Sequence, residues 1–314
     1  MHTFQAAALL VLASHASAAQ FTKTPASVGH PFLKYDAFLF DGLGTLHDNV
    51  NAKPYAAKAI EALQLAGKLV IIGSNAPHPN DEDLAFLQRL GVANLATALE
   101  YAKLNDDVSL VSIFTSGHVA REELRKPSCC YGDRPLVLGA SREVLGRLHP
   151  PGDQLRPVES LEEVTCLMAY SSVPTTEDYA LAQRAGEMGL PFLALVGNEQ
   201  LCGVNGLVAA YKHSGGQHVS IFGKPHGGFF RKAKAIAARH GAADSLCVVG
   251  DSLAQDVAGA RAAGLPVAWL CDGVSDRDVA ELLAGDARQR PDYVIGSLKP
   301  PDGLAELRCD ITCD

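Results

Sequence analysis

Polar or charged residues follow four short apolar runs of the chain: Asp41, Ser74 with Asn75, Lys224, and Asp251. Two carboxylates, a hydroxyl, an amide and an ammonium group are a set that can hold a phosphate and a metal ion. Carboxylates placed close together repel one another, and a hard divalent cation such as Mg²⁺, which binds one or two carboxylates plus phosphate oxygens, would cancel that repulsion. The Ser74 hydroxyl and the Lys224 ammonium would then face the anion.

The apolar runs alternate with helical patterns, which predicts buried parallel strands covered by helices on both faces. The predicted strands of this sheet span residues 37–40, 69–72, 111–114, 219–222, 246–249, 266–270 and 292–295. Ligands of a doubly wound sheet bind in the crevice outside the carboxyl ends of its strands. We therefore expect an α/β fold with a doubly wound, Rossmann-like core, in which the polar residues meet at one edge of the sheet.

A second, smaller α/β pattern interrupts this core. A Pro-Pro-Gly breaker stands at residues 150–152, and a strand–helix–strand pattern runs from 166 to 196. Ser214-Gly215-Gly216 is predicted to be the hinge that leads out of it. The predicted organisation is a discontinuous core with an inserted cap domain, and its boundaries are 34–125 for the first core part, 126–215 for the cap and 216–314 for the second core part.

The composition indicates a globular protein with a sizeable core, because 47% of the 314 residues are hydrophobic and 20% are charged. It excludes a disordered chain, a collagen and a coiled coil. The formal net charge is −8, so no basic surface for nucleic acid or a membrane is expected. No apolar run approaches the roughly 18 residues that a membrane span needs. Gly42-Leu43-Gly44 lacks the third glycine of a dinucleotide-binding fingerprint.

The N-terminus has the pattern of a leader peptide. Residues 1–19 contain no Lys, Arg, Asp or Glu, and they combine the apolar run 6–13 with Ala16-Ser17-Ala18, a small-x-small cleavage pattern. We therefore predict a signal-like leader over residues 1–19 and a fold that begins near Lys34. If the leader is not functional, the alternative is a cytoplasmic protein.

The eight cysteines include no Cys-x-x-Cys pair. Cys166 and Cys247 lie in apolar strand patterns, where a free thiol behaves as a small hydrophobe. Reduced thiols favour an organelle interior, such as a plastid, over the extracellular space. The candidates for oxidation are the cysteines in polar surroundings, Cys129, Cys130, Cys309 and Cys313.

Four motifs occur in the order that resembles the haloacid dehalogenase superfamily of phosphotransferases. They are Asp-x-x-Gly-Thr from Asp41, Ser-Asn at Ser74, Gly-Lys-Pro around Lys224 and Gly-Asp-x-x-x-x-Asp around Asp251. The long gap between Ser74 and Lys224 places an inserted cap as in subfamily IIA, which contains p-nitrophenyl-phosphatase-like, phosphoglycolate-phosphatase-like and pyridoxal-phosphatase-like enzymes. The resemblance implies a hydrolase that acts on phosphoric monoesters.

The resemblance implies a role for each motif residue. Asp41 would be the nucleophile that forms an aspartyl-phosphate. Ser74 and the Asn75 amide would hold the phosphoryl oxygens, and Lys224 would neutralise the charge that develops on them. Asn198 lies where the cap of this subfamily returns toward the active site, and it is a candidate for substrate contact.

The resemblance also implies a cofactor and a partner. Mg²⁺ would be bound by Asp41, the backbone carbonyl of Leu43 and Asp251, while Asp256 would orient Lys224 or a metal-bound water. The substrate would be a small phosphorylated metabolite. A homo-oligomer formed through the cap is a candidate assembly.

One position departs from the pattern of this family. Active family members carry a second Asp two residues after the nucleophile, as general acid and base, and here that position is Leu43. General acid–base catalysis contributes about 10²–10⁴-fold, and His47 is the residue that could replace it. Two hypotheses follow. The first is a phosphatase whose acid–base step is slow because Leu43 replaces the Asp. The second is a pseudophosphatase, a catalytically weak protein that binds phosphate or a metabolite or has a regulatory role.

Overall fold

The computed structural model describes residues 34–65, 67–76, 80–92, 111–124, 131–138, 160–169, 174–195, 203–272 and 290–298. The predicted leader, Asn198, the four cysteines named above as oxidation candidates and the predicted helix 276–283 lie outside these residues. The chain divides into one unit of residues 1–73, 84–113 and 230–314 and a second unit of residues 74–83 and 114–229.

The strands of the described residues are short and mostly buried. In chain order, β1 to β10 are Ala37–Asp41, Leu69–Ser74, Val111–Thr115, Pro135–Leu138, Cys166–Ala169, Phe192–Leu195, Val219–Phe222, Leu246–Gly250, Val267–Leu270 and Tyr293–Ile295. The α-helices α1 to α7 are Ala56–Leu65, Asn80–Arg89, Ser116–Leu124, Thr176–Glu187, Gly203–His213, Gly227–Arg239 and Ala258–Ala262. A 3₁₀-helix spans Ala243–Ser245, and a π-helix spans Leu253–Val257.

A six-stranded sheet in the order β10-β9-β8-β1-β2-β3 forms the centre of the first unit. β1 pairs in parallel with β2 on one side and with β8 on the other. The chain therefore proceeds outward in opposite directions from β1 and from β8, which defines the topological switch point of a doubly wound sheet. The predicted α/β class with parallel sheets is confirmed.

The core of the first unit explains why its strands are apolar throughout. All five residues of β1 are buried, since helices cover both faces of a parallel sheet. On α1 the buried side chains recur at helical spacing, as Ala56, Ala59, Ile60 and Leu63. Gly67 follows α1 with a φ of 69°, a left-handed conformation that favours glycine at the end of a helix.

The second unit contains a four-stranded parallel sheet in the order β4-β5-β6-β7. α4 and α5 pack against each other and contribute to the same hydrophobic cluster as the sheet, with Phe192 of β6 edge-on to Tyr211 of α5. α4 starts with a capping box, in which the Thr175 side chain accepts from the Asp178 N–H and the Asp178 carboxylate accepts from the Thr175 N–H.

Two elements differ from the sequence expectation. β7 follows the predicted hinge at Ser214-Gly215-Gly216 and is therefore expected in the core sheet. It pairs instead with β6, all four of its residues being in register with Phe192–Leu195, and so belongs to the four-stranded sheet. The helical pattern before β9 predicts one continuous helix over residues 254–263, whereas the structure has a π-helix followed by α7. None of the described helices is long and apolar enough to cross a membrane.

Candidate active site

Three carboxylates of the first unit lie together at the switch point. Asp41 is the last residue of β1, Asp251 follows β8, and Asp256 lies on the π-helix. Their ligand oxygens all lie within 4.8 Å of one another. Asp41 is 9% exposed and Asp256 is 1% exposed. Because like charges in such an environment repel strongly, the donor set fits a hard divalent cation that accepts oxygen ligands.

The segment after β1 is shaped around the Asp251 carboxylate. Gly44 has a φ of 90°, and a Cβ built on it would lie 2.1 Å from Asp251 Oδ2. The next residue, Thr45, is fully buried and donates its hydroxyl to Asp251 Oδ1 over 3.0 Å. The Gly-Thr pair of the first motif therefore makes room for Asp251 and orients it. Sequence reasoning assigned no role to Thr45, although its place in the motif was visible.

The π-helix brings Asp256 to the same place. Its Oδ2 accepts from the Ser252 N–H over 3.1 Å, and the Ser252 hydroxyl accepts from the Gln255 N–H over 3.2 Å. A Cβ on Gly250 would lie 2.2 Å from the Asp256 Cγ. The Asp256 carboxylate is therefore held against the end of β8. This makes Asp256 a candidate metal ligand, in addition to the supporting role predicted from the sequence.

Leu43, which stands at the position of the family's acid–base Asp, and His47, its candidate replacement, are neighbours in the first unit. Leu43 and His47 form an isolated parallel β-bridge. His47 is 8% exposed, its Nδ1 accepts from the Asn49 N–H over 3.2 Å, and its ring lies edge-on to Phe86. When the imidazole is neutral, an accepting Nδ1 leaves the proton on Nε2. The tautomer that can donate from Nε2 is thus selected by the backbone.

The remaining motif residues form a separate cluster in the second unit. Asn75 Oδ1 accepts from the Lys224 N–H over 2.7 Å, and Asn75 Nδ2 donates to the Lys224 carbonyl over 3.1 Å. Both polar atoms of the carboxamide therefore bind the Lys224 backbone. The predicted contact of Asn75 with the phosphoryl oxygens would then be made by its backbone N–H. Ser74 Oγ accepts from the Ala76 N–H over 3.1 Å.

The Lys224 side chain is 2% exposed, and its Nζ lies 5.6 Å from the centre of the Phe229 ring. This distance is within the range of a cation–π contact. Burial lowers the pKa of His226 below its usual value of 6.5. The same burial favours the neutral form of the His226 imidazole beside the Gly-Lys-Pro segment.

A buried pair of hydroxyl residues supports the Asn75 segment. Ser116 Oγ lies 2.9 Å from both the Asn75 and the Ala76 carbonyl oxygens, to which it can donate. Thr115 Oγ1 accepts from the His118 N–H over 3.0 Å. The helical pattern that begins at Ser116 predicts this residue as the cap of α3, but the cap is Thr115, one residue earlier. A Thr-Ser pair between a strand and a helix was the signal available.

The structure thus groups the predicted site residues in two sets. Asp41, Asp251 and Asp256 meet in the first unit, near the Leu43–His47 bridge, whereas Ser74, Asn75 and Lys224 lie in the second unit. Cys166 and Cys247 are buried thiols, as expected for reduced cysteines in strands, and burial raises the pKa of the Cys247 thiol.

Comparison with known proteins bears on these motifs. The family model described as HAD-hydrolase-like matches residues 221–300, which include Lys224, Asp251 and Asp256. A curated relative, D-glycerol 3-phosphate phosphatase of Mycobacterium tuberculosis, is 26% identical over 271 residues, which are 83% of this chain and 69% of the relative.

Solved structures of the same class share the fold. A haloacid dehalogenase-like hydrolase from Brucella suis is 25% identical with a TM-score of 0.61, over 83% of this chain and 95% of its own. A glycerol phosphate phosphatase from Mycobacterium tuberculosis, solved in complex with magnesium, is 24% identical with a TM-score of 0.61, over 85% and 77%. The 4-nitrophenylphosphatase from Thermotoga maritima is 20% identical with a TM-score of 0.64, over 86% and 97%.

The fold and the motif residues resemble those of haloacid dehalogenase-like hydrolases. The resemblance to this superfamily and to its capped phosphatase subfamily, predicted from the sequence, is confirmed.

Proposed function

We propose that this protein is a Mg²⁺-dependent phosphatase that hydrolyses a small phosphate monoester through an aspartyl-phosphate on Asp41. The observation that carries the proposal is the cluster of Asp41, Asp251 and Asp256 at the switch point, with ligand oxygens within 4.8 Å of one another. A structure of this fold from Mycobacterium tuberculosis is a complex with magnesium, which supports the choice of cation.

The chain offers the oxygen ligands that Mg²⁺ prefers. Asp41 and Asp251 would bind the ion, together with the backbone carbonyl of Leu43, and Asp256 would bind it or orient a coordinated water. When bound, Mg²⁺ would neutralise the charge of the carboxylates and of the substrate phosphate.

We propose Asp41 as the nucleophile because it ends β1, one of the two central strands of the six-stranded sheet. In the first step a carboxylate oxygen of Asp41 would attack phosphorus, and the bond between phosphorus and the ester oxygen would break, releasing the alcohol. In the second step water would attack the phosphorus of the acyl phosphate, releasing inorganic phosphate and regenerating Asp41. The proposal includes Ser74, the Asn75 N–H and Lys224 as the groups that bind the phosphoryl oxygens.

The step that this chain performs least well is the proton transfer to the leaving alcohol. Leu43 has no ionisable group, so acid–base assistance must come from elsewhere. His47 is the candidate, because its backbone bridges to that of Leu43 and its neutral tautomer carries a proton on Nε2. Substrates with good leaving groups, such as aryl or acyl phosphates, need that assistance least.

For the substrate class, we propose a small phosphorylated metabolite of about the size of glycerol phosphate. The curated relative is named a D-glycerol 3-phosphate phosphatase, which supports this class. The second candidate function, a phosphate-binding pseudophosphatase, is favoured by a different observation, the apolar Leu43 beside the nucleophile segment.

A phosphate-release assay tests the proposal. The purified chain is incubated with glycerol 3-phosphate, phosphoglycolate, pyridoxal phosphate and p-nitrophenyl phosphate, with saturating Mg²⁺ or with EDTA. We expect hydrolysis of at least one ester, fastest for the aryl ester, and its loss in EDTA. Absence of turnover on every ester at saturating Mg²⁺, combined with phosphate binding by calorimetry, would favour the pseudophosphatase.

A further inference from the structure

Trp269 is the one tryptophan of the chain, and it contacts the candidate metal site through a hydrogen bond. It lies on β9 in the first unit and is 3% exposed. Its indole Nε1–H donates to the backbone carbonyl of Asp251 over 2.7 Å. A buried indole N–H requires an acceptor, and here that acceptor belongs to a residue whose carboxylate lies in the acidic cluster.

The sheet register explains why the indole is needed at this point. β8 and β9 pair in parallel, and the last Cα partners are Gly250 and Trp269. Asp251 comes directly after the paired residues, where the backbone leaves the sheet and enters the turn before the π-helix. The Trp269 side chain thus continues the hydrogen bonding by one residue past the end of the strand pairing.

Asp251 is consequently held at two ends. Thr45 donates to its carboxylate Oδ1, and Trp269 donates to its backbone carbonyl. The direction of the Cα–Cβ bond of Asp251 follows from its backbone orientation, so the two contacts together restrict where the second carboxylate oxygen points. Hydrogen bonds of this kind, one shell out from a metal, orient the ligands and tune affinity.

We propose that Trp269 is a positioning residue of the metal site, which fixes the backbone of Asp251 and thereby aims its carboxylate at the cation. This inference rests on the Mg²⁺ site of the proposed function, but it concerns binding of the ion and not turnover.

The test compares Mg²⁺ affinity, measured by calorimetry, in the unmodified protein and in two variants. Trp269→Phe keeps an aromatic ring and removes the N–H donor. Leu270→Ala is the matched control, because Leu270 is the next residue of β9, is buried, and packs in the core of the first unit. We expect roughly 10-fold weaker Mg²⁺ binding in Trp269→Phe, and unchanged affinity but a lower melting temperature in Leu270→Ala.

If Trp269 had a purely structural role, Trp269→Phe would lower the melting temperature without weakening Mg²⁺ binding specifically. Unchanged Mg²⁺ affinity in a folded Trp269→Phe would overturn the inference, as would equal losses of affinity in both variants. If the unmodified protein binds Mg²⁺ but hydrolyses no ester, the proposed function fails while the inference about Trp269 can still be tested. If the unmodified protein binds no Mg²⁺, the inference fails with the metal site.

A measurement on the unmodified tryptophan keeps the inference testable if Trp269→Phe does not fold. With one indole in the chain, all tryptophan emission reports this position. Saturating Mg²⁺ is expected to change that emission in the unmodified protein and to leave it unchanged in Asp251→Asn, which retains the backbone carbonyl but loses the charged ligand. If calorimetry shows that the unmodified protein binds Mg²⁺ but its tryptophan emission does not change, the inference is overturned.

Discussion

The carboxamide of Asn75 binds both backbone polar groups of Lys224, a residue 149 positions further along the chain. Its oxygen accepts from the N–H over 2.7 Å, and its nitrogen donates to the carbonyl over 3.1 Å. One side chain thus joins the Ser-Asn motif to the Gly-Lys-Pro motif. Because Asn75 holds the backbone of Lys224, the position of the Lys224 ammonium depends on Asn75 as well as on the rotamer of the lysine side chain.

Asn75→Leu is expected to reduce kcat/KM on the order of 10²-fold, because small misplacements of catalytic groups cost about that much. The substitution preserves volume but removes both hydrogen bonds. It should also destabilise the fold by about 1–3 kcal/mol, since the Lys224 backbone groups lose a partner in a buried setting. Steady-state kinetics and urea unfolding measure the two effects.

Asn75→Asp is the matched control for that prediction. It retains an acceptor for the Lys224 N–H and loses the donor to the Lys224 carbonyl, so its defect should be the smaller one. Equal kinetics in Asn75→Leu and the unmodified protein would show that Lys224 is positioned by other contacts.

Asp41→Asn is expected to abolish turnover with little change in stability. A neutral amide cannot attack phosphorus, whereas its size fits the end of β1. Phosphate release and the thermal unfolding curve are to be compared in the same preparation. Turnover that persists in purified Asp41→Asn is incompatible with a covalent intermediate on this residue.

Leu43→Asp is expected to raise kcat/KM for an alkyl phosphate by on the order of 10²-fold, and to raise it less for an aryl phosphate. The alkyl alcohol is the poorer leaving group and needs protonation more. Since the substitution adds a carboxylate beside the acidic cluster, Mg²⁺ must be saturating in both assays.

His47→Ala in the otherwise unmodified chain separates the remaining explanations. If Leu43→Asp leaves kcat/KM unchanged for both substrates, there are two explanations. Either His47 already supplies the proton, or the site serves binding and not catalysis. Loss of activity in His47→Ala supports proton transfer by His47. Unchanged phosphate release supports the pseudophosphatase.

The Asp36–Lys68 ion pair predicts a pH dependence of stability. Lys68 Nζ lies 2.9 Å from Asp36 Oδ1, and this hydrogen bond is the main cause that lowers the pKa of Asp36 from 3.8. A lowered pKa in the folded state stabilises the protein above the ordinary pKa, and that contribution disappears as the pH falls through the lowered value.

Asp36→Asn should therefore cost up to about 1 kcal/mol at pH 7, the range for a solvent-screened pair, and cost less as the pH falls below 3.8. Urea unfolding of both proteins across this pH range measures the difference. A difference that stays constant with pH would mean that the effect of the substitution is steric.

Local sequence was sufficient to predict the α/β class and all six strands of the six-stranded sheet, although it also assigned residues 219–222 to that sheet. Continuous apolar runs such as residues 37–40 and 246–249 are sufficient evidence for buried parallel strands, because both faces of such strands are covered. A polar residue after each run is then placed at the ligand-binding edge by the topology of the sheet. This is why Asp41 and Asp251 could be paired in advance.

Other features were decided by tertiary contacts between residues far apart in the chain. Thr45 contacts Asp251, and Asn75 contacts Lys224, across 206 and 149 positions, and no local pattern encodes such pairings. The π-helix that turns Asp256 toward the other carboxylates and the Trp269 bond to the Asp251 carbonyl likewise depend on where β8 ends beside β9. Sequence periodicity determines which faces are buried, whereas hydrogen bonds at strand ends depend on the packing of the folded chain.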